Sequence, residues 1–258
     1  MNEITEDVFR IFGRDLHVLR TAHAGVGDAV KRRILELEPD AVLVELCPSR
    51  LAQVLSELHG GPKGTGVGGP LGRVIGLAER LTSSALGAEL GEDMKGAVEA
   101  AVQLDAELVP VDVDVRALFE RIKIKAPLTE RLKLGVCILI DTIKSVLKPE
   151  KTKSYIEEAL ENEEAARELV EGFKESFPHV AEVIIDERNS VIAENTIEYL
   201  HTAEPEVEKA VLVIGAAHYG VLDYLREAEA LYGDEEGAAY GSDEEGTATR
   251  PDGRGTGP

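Results

Sequence analysis

Basic residues, cysteines, aromatic residues and long apolar runs are all scarce in this chain. Each shortage closes off a class of function. Lys and Arg number 28 against 49 Asp and Glu in 258 residues, a formal charge of −21 at pH 7. A nucleic-acid partner requires a basic footprint that displaces counterions from phosphates, and an anionic membrane surface requires the same sign, so neither is expected. The two cysteines, Cys47 and Cys137, form no disulfide framework or zinc knuckle and read as reduced core thiols. The best apolar run, Leu134 to Ile140, stops at Asp141, well short of the roughly 18 residues needed to span a bilayer. The acidic opening MNEITEDVF lacks the form of a signal peptide. A soluble, cytoplasmic protein with no transmembrane segment is expected. Aromatic residues make up 4% of the chain and lysines are fewer than arginines; with the acidity, this suits a halophilic surface that keeps a protein dissolved at high salt.

What is present is an alternation of apolar strands and helical stretches. After residues 1–7, which read as frayed, Val8–Phe12 and Leu16–Leu19 flank Gly13-Arg14-Asp15 as a hairpin or two successive strands. Helical spacing predicts a helix over Val26–Leu37, ended by Pro39. Ala41–Val44 is a continuous apolar strand, the form taken when both sheet faces are covered. A helix over Pro48–Leu58 comes after it. The stretch 60–72 is glycine-rich, but Lys63 precedes Gly64 rather than Ser or Thr, so it reads as a mobile loop and not as a phosphate loop.

Leu71–Leu90 is amphipathic, and Gly91 to Leu104 is helical with acids at its start, where the helix dipole favours them. A strand over Glu107–Val113 and a helix over Val115–Ile124 come next. Leu128–Leu147 and Ser154–Phe173 form a long helical pair, an insertion at about 125–175. A helix over His179–Leu200, a strand over Val211–Ile214 and a helix over Tyr219–Leu231 complete the pattern. Residues 233–258 carry seven acids, two arginines and no apolar periodicity, the composition of a disordered tail. The expected fold is therefore one α/β domain over residues 1–232. It has a mostly parallel central sheet flanked by helices, a helical insertion and an acidic tail.

His23, Glu45, Asp112 and His218 each stand at or just beyond the end of an apolar strand. Ligands of open parallel sheets bind beyond the carboxyl ends of the strands. Two imidazoles with carboxylates are a suitable ligand set for a divalent transition metal. Gly215 lets the last strand turn sharply before Ala216-Ala217-His218. Each residue also has an ordinary role: a histidine at a strand end as a cap or surface group, Glu45 paired with Arg50, Asp112 and Asp114 capping the next helix. At 100° per residue, Glu187, Arg188 and Asn195 share a face with Val180, Ile184 and Val191. Charged residues on an apolar face must be paired or line a polar site. Either Glu187 and Arg188 lock the helix internally, or this helix closes over the histidines.

Six short motifs in one order carry a resemblance. They are Arg20-Thr21-Ala22-His23, Val44-Glu45-Leu46-Cys47 with Arg50, Asp93-Met94, Asp112-Val113-Asp114, Asp186-Glu187-Arg188-Asn189, and Gly215-Ala216-Ala217-His218. In this order and over about residues 8–228 the chain resembles the TraB family of pheromone-shutdown proteins, related to the Tiki metalloproteases. Arg20 stands where the family's first Gly-x-x-His has glycine, and Val113 where it has a second basic residue.

The resemblance implies a fold like that of erythromycin esterase and the haem-binding ChaN-like group. It also implies a divalent-metal-dependent hydrolase acting on peptides. In that scheme His23, His218 and Glu45 hold the metal, Glu45 serves as ligand or general base, and Arg50, Glu187 and Arg188 orient the ligands or the substrate. The rival expectation is a non-catalytic module that binds a peptide or haem; a third is a polar network that only stabilises the fold. A homodimer is the expected assembly, from the resemblance and the frequency of twofold assemblies.

Overall fold

A computed structural model of the chain describes residues 4–21, 26–61, 91–147 and 163–233. His23, the glycine-rich stretch beyond residue 61, the amphipathic Leu71–Leu90, residues 148–162 of the expected insertion and the acidic tail from 234 lie outside the described residues.

The sheet begins with an antiparallel hairpin, β1 (Ile4–Ile11) and β2 (Arg14–Thr21), in register from Ile4↔Thr21 to Ile11↔Arg14. Its turn residues, Phe12 and Gly13, both have positive φ (51° and 72°), as a two-residue hairpin turn of the primed type demands. Phe12 stacks on Tyr232 and meets the His201 ring at a tilt of 45°. β1 starts at Ile4, so the expectation of fraying over residues 1–7 is corrected for residues 4–7. Their charges are partnered: Glu6 with His17 and Arg33, and Asp7 with Arg20.

β3 (Ala41–Val44), β4 (Glu107–Pro110) and β5 (Lys209–Gly215) complete a five-stranded sheet of order β1-β2-β5-β3-β4, parallel except for β1. β4 is an edge strand, where Pro110 costs no ladder bond, and its regular ladder ends there rather than at Val113. Val111 and Asp112 still donate their N–H groups to Val44 and Leu46 carbonyls.

Alternate residues of the inner strands serve two cores. Val42, Val44, Val211 and Val213 pack under α1 (Gly27–Leu37) and α3 (Glu92–Leu104). Leu43, Leu212 and Ile214 pack under α8 (Arg188–Thr202) and α9 (Val221–Tyr232). α1 and α3 touch backbone to backbone: a Cβ on Gly96 would collide with the Gly27 carbonyl oxygen. α2 (Pro48–Leu58) comes after β3. The result is a mixed α/β fold, a mostly parallel sheet flanked by helices, as the strand–helix alternation predicts. Among the described residues no helix is long and apolar enough to cross a membrane.

Among the described residues, the helices α4 (Val115–Lys125), α5 (Leu128–Leu147) and α6 (Glu163–Ser176) lie between β4 and the next core helix. The stretch expected as one α-helix over His179–Leu200 is interrupted. α7 (Pro178–Ala181) runs into a π-helical turn, Glu182–Glu187, and only then into α8. Both ends of this composite rod are pinned. Glu130 of α5 accepts the Val180 N–H at 2.9 Å and pairs with His179 at 2.7 Å. Below α8, the buried guanidinium of Arg14 donates to the carbonyls of Leu200, Ala203 (2.8 Å) and Val207 (2.9 Å). These are orphan acceptors at the helix end and in the turn beyond it, and a cation suits that end of the dipole.

Candidate functional site

The register aligns the carboxyl ends of the parallel strands: Thr21 beside Gly215, Val44 beside both Val213 and Pro110. The segments leaving these strands therefore meet at one edge of the sheet. Glu45 comes directly after β3, Asp112 two residues after β4, and His218 closes a short 3₁₀ turn, Ala216–His218, after β5.

Glu45 is the hub. Its side chain is 7% exposed. Its Oε2 accepts the Gly215 N–H at 2.7 Å, while Oε1 accepts from Arg188 Nη2 at 2.8 Å and faces His218 Nε2 at 3.1 Å. Arg188 also grips Asp112 with two donors, Nε to Oδ1 at 3.1 Å and Nη2 to Oδ2 at 2.6 Å. A fork on a carboxylate is the strong geometry for this pair. Burial pulls the Arg188 pKa down, but the Asp112 hydrogen bond and the charges of Glu45 and Asp112 carry it above its ordinary value. Among the described residues the cluster sets two carboxylates, Glu45 and Asp112, on the one guanidinium of Arg188.

The imidazole is oriented from its other side. Nδ1 of His218 lies 2.6 Å from Oδ1 of Asn189, and both residues are buried. An amide oxygen only accepts, so Nδ1 carries the hydrogen and Nε2 is the atom turned to Glu45. Gly220 leaves room for this amide: a Cβ there would sit 2.6 Å from Asn189 Nδ2.

The other expected site residues are placed elsewhere. Glu187 does not join Arg188. Its carboxylate is bound by Arg121 and by Lys125, at 2.5 Å. The Arg121 hydrogen bond, against the opposing effect of burial and with help from Lys125, lowers its pKa to about 2. Neighbours on a helix point about 100° apart, and here Glu187 faces α4 while Arg188 faces the ends of β3 and β4. Arg50 is exposed in the first turn of α2; among the described residues it makes no hydrogen bond to the cluster, and Arg188 takes the place expected for it beside Glu45. Asp114 caps α4 by accepting the Arg116 N–H, whereas Asp112 is the partner of Arg188. Asn195 donates to the Val111 carbonyl at 2.8 Å and ties α8 to the end of β4. His23 lies outside the described residues. Two positions before it, Thr21 donates to Oδ2 of the fully buried Asp93 at 2.5 Å.

Asn189 is the functional-looking residue that the sequence pattern does not single out. It belongs to the Asp-Glu-Arg-Asn motif, yet nothing in its own spacing points to His218.

Glu45 Oε1 and His218 Nε2 are the two donors that converge. Among the described residues no group of three or more His, Cys, Asp or Glu is arranged to hold a metal ion. The oxygen and nitrogen donors suit a divalent transition metal, but a catalytic site of this kind takes three protein ligands. The described residues bring two such donor atoms together.

A sequence model of the TraB/PrgY/gumN family matches residues 74–230. The chain is also 22% identical over 231 residues to an uncharacterized protein of Methanocaldococcus jannaschii, a match covering 83% of this chain and 54% of that protein. The chain thus spans about half the length of this relative.

Proposed function

The chain belongs to the TraB/PrgY/gumN family, and from that premise we propose that the edge cluster is the centre of a divalent-metal-dependent hydrolase acting on peptides. His218 and Glu45 are the ligands within the described residues, and His23 is the third. The observation that carries this reading is the convergence of two lone-pair donors, His218 Nε2 and Glu45 Oε1, 3.1 Å apart, with the second ring nitrogen committed to Asn189. The bound ion supplies Lewis acidity toward a peptide carbonyl. The chain's own residues do the rest. Asn189 holds the proton of Nδ1 and so keeps Nε2 free to act as a donor. Arg188 and the Gly215 N–H fix the Glu45 carboxylate, which serves as ligand or as general base. The same reading takes the fold to be of the erythromycin esterase and ChaN-like kind.

Metal content of protein purified without a histidine tag, then peptide cleavage with and without chelator, tests the proposal. The expected result is one divalent ion per chain, lost in His218→Ala and Glu45→Gln, with cleavage that tracks the metal. A folded protein that neither retains nor takes up metal, and in which His218→Ala changes only stability, overturns it. One observation favours a second reading, a non-catalytic module that binds peptide or haem: Glu45 is already engaged by Arg188. Peptide binding without turnover, or a Soret band on haem titration that disappears in His218→Ala, would identify that case.

A further inference from the structure

Beside the cluster, α4 and the junction of the π turn with α8 enclose a groove of ≈ 310 Å³. At about 30 Å³ per water it has room for some ten waters, enough for one branched or aromatic side chain. Val113, Ala117, Leu118 and Val191 give it an apolar lining. Its charged residues answer one another: Arg121 binds Glu187, and Arg188 binds Asp112 and Glu45. A charged guest would have to break one of these pairs or stay unpaired in an apolar cleft, which is costly. An uncharged apolar guest displaces water and disturbs none of them.

The groove adjoins the cluster through one shared residue. Arg188 lines it, and the same guanidinium holds the Glu45 oxygen that faces His218. A residue seated in the groove would thus stand against Arg188, one side chain away from the carboxylate–imidazole pair.

We infer that this groove takes the apolar side chain of a peptide residue, of leucine or phenylalanine type, next to the bond presented to Glu45 and His218. This inference rests on the peptide reading of the site and names its specificity. It also gives Glu187 a role away from the chemistry: with Arg121 it forms a neutral wall of the groove.

The test uses the whole chain with methyl-labelled side chains and two acetylated pentapeptides, Gly-Gly-Leu-Gly-Gly and Gly-Gly-Asp-Gly-Gly. The leucine peptide is expected to shift the methyl resonances of Ala117, Leu118 and Val191 and to bind about ten- to a hundred-fold tighter than the aspartate peptide, the range set by burying one such side chain. Ala117→Trp fills the groove and should abolish the preference. Ala117→Met does so with less bulk if the first variant fails to fold. Equal binding of both peptides, no methyl shifts, or a preference that survives a folded groove-filled variant overturns the inference. Selective binding without metal-dependent cleavage removes the hydrolase reading and leaves the groove standing. Cleavage without preference does the reverse.

Discussion

His218 Nδ1 lies 2.6 Å from Asn189 Oδ1, and the contact closes a buried link between the turn after β5 and the first turn of α8. It decides which ring nitrogen is left to face Glu45. Asn189→Ala should therefore release the ring as well as destabilise the fold. The expected loss is about 1–3 kcal/mol for an unsatisfied buried partner. Nitrogen-15 spectra of His218 should change from one tautomer to a mixture. A single unchanged tautomer in the variant would show that Asn189 does not set it.

Gly220 makes a sharper probe, because it touches the amide and not the imidazole. A methyl group there would press on Asn189 Nδ2 from 2.6 Å. Gly220→Ala should cost about 1–3 kcal/mol from overpacking. Most of that cost should vanish in the Asn189→Ala background, where the obstructing amide is gone. Additive losses in a double-mutant cycle measured by urea unfolding would contradict this coupling.

Arg188 answers two carboxylates at once. Arg188→Ala leaves both without their cation, and breaking such a buried arrangement costs about 3–5 kcal/mol. The loss should shrink when Glu45→Gln and Asp112→Asn are added, since the uncompensated charges go with them. Unfolding midpoints of the single and triple variants decide the matter.

Glu187 gives a pH signature of known sign. Its folded pKa, about 2, lies below the usual 4.5. Its contribution is therefore fully present above pH 4.5 and is lost as the pH falls from about 4.5 toward 2. The difference in thermal midpoint between wild type and Glu187→Gln should be largest near neutrality and should close across that window. Because the Arg121 side chain is 56% exposed, molar salt should reduce the difference. A pH-independent difference would exclude this ion pair as its source.

The parallel core could be read from the chain because its strands are short, continuous apolar runs. Ala41–Val44 and Val211–Ile214 appear as strands, and the polar residues after them, Glu45 and His218, do meet at one edge. The pairing of Glu45 was not readable. Arg50 is five residues away in sequence, whereas Arg188, the residue that binds it, is 143 away and arrives only through the topology. Ile4–Asp7 looked frayed because a charged strand carries its stabilising partners on other elements. The helix after Pro178 looked regular because a π turn requires no marker residue. Glu187 and Arg188 are neighbours that point about 100° apart on a helix, so one meets Arg121 and Lys125 of α4 and the other the carboxylates at the strand ends.

The π turn is an α-helix with one residue too many, and this surplus has a mechanical meaning. Upstream, Glu130 grips Val180; downstream, Asn195 grips Val111. A bulge takes up its surplus residue locally and leaves the helix on either side in register, so both anchors stay engaged although the chain between them is one residue longer than a uniform helix would need. The slack is confined to Glu182–Glu187, the stretch that hands Glu187 to Arg121 and Lys125.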